Sequence, residues 1–96
     1  MLTHIVCWKY RAGTSAAQQA EHIAKLQNLK NIIEEVVDLK AGADVLHLER
    51  SFDTALVATY ADRAALEAYN VHPEHQKVVA FGREIAEKVV SVDFED

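Results

Sequence analysis

A phenol and two imidazoles lie within one short segment, Tyr69-Asn70-Val71-His72-Pro73-Glu74-His75, which also holds the only proline of the chain. Phenol and imidazole together suit proton transfer. A neutral imidazole removes a proton near pH 7, and a phenol donates to the oxygen on which negative charge then gathers. Pro73 breaks one helix and can start the next, because it fixes φ and suits a first helical turn. His75 then falls in the first turn of the new helix, where the macrodipole disfavours an imidazolium and keeps the ring in the form a general base needs. Tyr69 precedes the break and converges on the same space if the chain turns there. The pattern also fits an ordinary helix junction, in which Tyr69 caps the core and His75 bonds a neighbouring carbonyl, so residue types alone leave both readings open.

The other histidines carry less. His4 sits on a strand face with Leu2, Val6 and Trp8. A lone histidine there is an ordinary core residue unless that face meets the start of the third helix. His47 interrupts an apolar run between Leu46 and Leu48, and His22, beside Glu21, reads as the surface edge of the first helix. The spacing His72-x-x-His75 is open to metal ligands, but Pro73 interrupts the turn that would align them and no third ligand of a known zinc motif is present. Cys7 is the single cysteine. It excludes an internal disulfide and a multi-cysteine zinc site, and reads as a small buried hydrophobe. Three glycines cannot build a phosphate cradle, and no G-x-S-x-G elbow occurs, so neither cofactor nor metal is expected.

These residues must be positioned by a single domain of 96 residues, 50% apolar and 26% charged. The net charge of −5, with scattered Lys and Arg, argues against nucleic acid and anionic membranes as partners. No apolar run is long enough for a membrane span, and His4 and Lys9 interrupt any signal-peptide pattern, so a cytoplasmic protein is expected.

Leu2–Tyr10 reads as a strand with apolar residues on both faces. Ser15 and Gln18 form a capping box opening a helix to about Val37, with Ile23, Leu26, Leu29, Ile33, Val36 and Val37 at helical spacing. Leu39–Asp44 reads as a linker pivoting at Gly42. Val45–Arg50 and Ser51–Tyr60 read as the second and third strands. Asp62 caps a short helix, Arg63 to about Asn70. Val71 and His72 must be extended before the proline. A third helix runs from Glu74 to about Lys88, and Val89–Phe94 closes the chain as a strand. The order β-α-β-β-α-β predicts an α+β, ferredoxin-like fold, a four-stranded antiparallel sheet with helices on one face. An apolar sheet face left bare is a liability in a monomer, so a homodimer with a shared barrel is expected.

Four segments together resemble the stress-responsive A/B barrel family over nearly the whole chain: His4-Ile5-Val6, Ser51 to Val57, Tyr69-x-x-His72-Pro73-x-His75 and Val92-Asp93-Phe94. The resemblance implies a dimeric α+β barrel. One plant branch, cyclases of the olivetolic acid type, closes a linear polyketide by intramolecular aldol condensation without a cofactor. Its acid–base residues fall on Tyr69 and His75 and its strand histidine on His4, while a third pocket histidine falls near Thr54. By that likeness His75 removes a proton α to a carbonyl, Tyr69 holds the substrate oxygen and His4 lines the pocket. Two functions follow as expectations. One is a barrel dimer that binds a small apolar carbonyl ligand between sheet and helices. The other is a cofactor-independent, cyclase-like enzyme.

Overall fold

The computed structural model describes residues 1–96. The elements are β1 (Leu2–Tyr10), α1 (Ala16–Ile32), β2 (Val36–Ala43), β3 (Thr54–Tyr60), α2 (Arg63–Val71), α3 (Pro73–Ile85) and β4 (Ala86–Glu95). The strands form one antiparallel sheet in the order β2-β3-β1-β4, the expected ferredoxin-like arrangement.

Alternation along β1 divides its side chains between two faces. Leu2, Val6, Trp8 and Tyr10 are buried on the helix side with Leu56, Ala58 and Tyr60 of β3. Leu26 and Leu29 of α1, Tyr69 of α2, and Val78 and Ile85 of α3 close this core from above. Full burial of an aliphatic side chain contributes about 1.5–3 kcal/mol, so this layer holds the helices on the sheet. The other sheet face has no helix. Val57, Ile5 and Val92 lie side by side across three strands, with Ala55, Cys7 and Val90 in the next row. Val57, Val90, Val92 and Phe94 are exposed.

Each helix starts where its cap requires. The Ser15 hydroxyl accepts from Gln18 N at 3.1 Å while Gln18 Oε1 accepts from Ser15 N at 2.9 Å, the reciprocal pair expected. Asp62 accepts from Ala65 N at 2.9 Å. His72 closes one helix and opens another: its N–H donates to Tyr69 O at 3.1 Å, and its Nδ1 accepts from Glu74 N at 3.1 Å. Its extended backbone, φ −63° and ψ 132°, is what a residue before proline must adopt. The end of α3 is tied back to β1, since Arg11 N donates to Ile85 O at 2.8 Å.

The middle of the chain departs from the sequence-based expectation. The first helix ends at Ile32 rather than near Val37, with Ile33 as its C-cap. The presumed linker is β2, and Val45–Arg50 is a loop instead of a strand. A register shift between Val36 and Asp38 explains the misreading. The bulge puts Val36, Leu39 and Ala41 toward the core, at a spacing that is neither strand-like nor helical throughout. In the loop, the Asp44 carboxylate accepts from His47 N at 2.7 Å and Ser51 Oγ from Leu48 N at 3.1 Å. His47 takes a positive φ of 53°, and Val45 and Leu46 face solvent at 81% and 68% exposure. Polar turn bonds therefore overrode the β propensity of this apolar run.

Candidate functional site

The break at Pro73 folds α3 back on α2 and stacks the His75 ring on Tyr69, centroids 4.1 Å apart. Tyr69 packs in turn on Tyr60 at the end of β3, 5.1 Å away, and His4 of β1 lies 6.4 Å from Tyr69 and 6.3 Å from Tyr60. The face of β1 that carries His4 thus does meet the start of the third helix. His4, Tyr69 and His75, named from sequence, form one aromatic cluster.

The protonation states follow from the surroundings. His75 Nδ1 lies 3.2 Å from Asn70 O. A carbonyl only accepts, so Nδ1 carries the proton and Nε2 keeps the lone pair. Burial lowers the His75 pKa, and the nearby His4 and His72 push it the same way, against the Asn70 bond. The ring is therefore neutral near pH 7, chiefly through desolvation rather than the helix dipole. Burial pushes the Tyr69 phenol up to about 12, with the neighbouring Tyr60 hydroxyl opposing. Tyr60, fully buried, is raised further by burial and by the nearby Tyr69, and its hydroxyl is buried without a hydrogen-bond partner. Both phenols stay protonated and can only donate or share a proton, while His75 can take one up.

Asp93 joins the cluster without having been singled out. It is the cross-strand partner of His4, and its carboxylate contacts His4 Nδ1. That contact fixes the ring and leaves Nε2 as the free nitrogen. Tyr60 has no local signal in sequence, and Asp93 none beyond its place in the Val92-Asp93-Phe94 segment of the family resemblance, because both enter through strand register, although the β1 face joining His4 to Val6 and Trp8 was readable.

A cleft of about 410 Å³ opens between α3 and the start of β4. Val6, Trp8, Val79 and Val89 give it apolar walls, and His75 lies on its lining. Arg11, Arg83, Ala86, Glu87 and Lys88 complete the lining. Tyr69 is 1% exposed and is not on this surface. Nor is His4, so of the three named residues only His75 reaches the cleft.

His22 is not at the surface edge of α1, as expected, but 1% exposed. Its Nδ1 lies 2.7 Å from the Tyr10 hydroxyl, which donates to Thr54 Oγ1 at 2.8 Å. Trp8 meets its ring edge-on at 4.9 Å. Spacing explains the error: His22, Leu26, Leu29 and Ile33 share one helical stripe, and a histidine can occupy a stripe position when its polar atom finds a partner.

A ferredoxin-like sheet with helices on one side, and a histidine–tyrosine cluster beneath the α2–α3 break, define a small α+β barrel class. The family model for the stress responsive A/B barrel domain matches residues 2–96, and the chain belongs to that family. No curated protein matches it in sequence. Among solved structures, a dimeric ferredoxin-like protein of unknown function from Thermobifida fusca is 25% identical, with a TM-score of 0.90 over 99% of this chain and 90% of the other. A hydroxynitrile lyase from Passiflora edulis is also 25% identical, with a TM-score of 0.86 over 97% of this chain and 90% of the other. A protein from Arabidopsis thaliana shares the fold at 23% identity, with a TM-score of 0.87 over 100% and 95%.

Proposed function

We propose that the chain works as a homodimer joined through its bare sheet face and binds a small, largely apolar carbonyl compound in the cleft below His75. The observation that carries the binding reading is the cleft itself: about 410 Å³, walled by Val6, Trp8, Val79 and Val89, with one imidazole at its surface. That is the usual make-up of a small-molecule site, apolar walls with few polar groups. The dimer rests on the exposed row of Val57, Val90, Val92 and Phe94 and on the dimeric state of the Thermobifida fusca relative.

A second reading, cofactor-independent proton transfer, is favoured by the His75 tautomer. With Nδ1–H held by Asn70 O, Nε2 takes a proton from the carbon α to the bound carbonyl. The C–H electron pair moves into the C–C bond, and the carbonyl π pair moves onto oxygen as an enolate. Tyr69 holds the His75 ring by stacking. Because it is 1% exposed and off the cleft lining, its phenol does not face a ligand in the cleft and acts through His75. His4, held by Asp93, supports the buried side of the cluster. The hydroxynitrile lyase among the relatives is an enzyme on this fold.

Acetophenone in D₂O tests both readings. Binding should quench Trp8 saturably, since Trp8 lines the cleft and is the only tryptophan. Deuterium uptake at its methyl group, followed by NMR, should be accelerated by the protein and lose about 10²-fold in His75→Ala. Saturable quenching with no exchange would keep the binding reading and remove the enzyme. Absence of both would remove the cleft as a ligand site for this class.

A further inference from the structure

The cleft has two chemically different ends. His75, Val79 and Arg83 lie four residues apart in succession, on one stripe of α3, and all three line it. Eight residues of helix place His75 and Arg83 about 12 Å apart along the axis. At the far end Arg83 is joined by Arg11, which comes from a separate element. Arg11 is fixed there by its backbone bond to Ile85 O, 2.8 Å. Glu87 is the one carboxylate on the lining, so the end carries two guanidiniums against one anion. Lys88 borders the cleft but alternates with Val90 and Val92, and so directs its side chain to the bare sheet face.

None of these side chains is spent elsewhere. The ion pairs of the chain are His4–Asp93, Lys25–Glu21, His47–Asp44 and Lys77–Glu74, and none involves Arg11, Arg83, Lys88 or Glu87. In a chain of net charge −5, two exposed arginines stand without ion-pair partners at the mouth of an apolar cleft. The last turn of α3 favours a cation at Arg83, but the helix dipole gives neither guanidinium an acceptor for its N–H groups. Guanidinium forks match carboxylates in two-pronged geometry.

We propose that the cleft takes an amphiphilic carboxylate: an acid whose anionic head sits between Arg11 and Arg83, and whose apolar body runs along Val79 toward His75. This rests on the reading of the cleft as a ligand site and names the class of ligand. If the proton-transfer reading also holds, the substrate is a keto acid with its carbonyl and carboxylate at opposite ends. The arginines then act as specificity residues remote from the chemistry.

Octanoate and octanamide, which share a body and differ in charge, test this through Trp8 fluorescence. Octanoate should bind saturably and at least about tenfold tighter than octanamide, the usual worth of hydrogen bonds to a charged group. The double variant Arg11→Gln/Arg83→Gln should lower octanoate affinity to that of octanamide and leave octanamide binding in place, which also shows that the cleft is intact. Octanoate carries no ketone, so its affinity does not depend on proton transfer, and absence of exchange into acetophenone leaves this reading standing. Equal affinity for the two probes, no saturable octanoate binding, or unchanged octanoate affinity in the double variant would overturn it.

Discussion

Acid should destabilise this protein through His22. The ring is 1% exposed, and burial lowers its pKa from the ordinary 6.5 to about 4. The Tyr10 hydroxyl donates to Thr54, so His22 Nδ1–H donates to Tyr10, and the remaining nitrogen, Nε2, is buried without a partner. A second proton would have to sit on that nitrogen. Above pH 6.5 both folded and unfolded chains hold His22 neutral, and its contribution is fully present. As pH falls below 6.5 the unfolded chain takes up a proton that the folded chain refuses, so stability is lost until the folded ring titrates near pH 4. One pKa unit is about 1.4 kcal/mol, so the loss amounts to roughly 3 kcal/mol, a large share of a typical 5–15 kcal/mol. Urea unfolding at steps between pH 7.5 and 4 measures it. His22→Asn is the control, because its amide can still donate to Tyr10 and does not titrate. The variant should start lower, through the smaller side chain, but its stability should fall less steeply by about one proton, up to about 1.4 kcal/mol per pH unit. Parallel curves for the two proteins would refute the argument.

Two further perturbations probe the same architecture. Gly82→Ala places a Cβ 2.9 Å from His22 Nε2 and 3.5 Å from Trp8 Nε1. Alanine gains about 1 kcal/mol of helix propensity, but overpacking against a ring held by Tyr10 and Trp8 costs about 1–3 kcal/mol. The melting temperature should therefore fall by about 5 °C, and a rise would show that His22 is free to move. Val92→Lys puts an ammonium at the centre of the bare sheet face, beside Ile5. Burying it unpaired costs several kcal/mol, so dimer affinity should drop by at least about 100-fold and light scattering at micromolar concentration should report a monomer. A wild-type monomer under the same conditions would refute the dimer.

The sequence by itself determined the local punctuation. Ser15 with Gln18, Asp62, and His72 before Pro73 place the helix starts, because capping and proline sterics act within four residues of chain. The alternation in β1 grouped His4 with Leu2, Val6 and Trp8 on one face without saying which face the helices cover, and the family resemblance picked out His4, Tyr69 and His75. Tertiary structure decided what depends on pairing. The bulge in β2 disguised a strand as a linker, and polar turn bonds took Val45–Arg50 out of the sheet. Only the register of β1 with β4 sets Asp93 on His4, and only the packing of α1 on α3 buries His22 against Gly82. The cleft is likewise a tertiary object: Arg11 and Arg83 stand 72 positions apart in the sequence and share a surface because one backbone bond ties the end of β1 to the end of α3. Short-range sterics and hydrogen bonds are written in neighbouring residues, whereas register and helix docking are settled by the burial of whole faces, which no segment specifies alone.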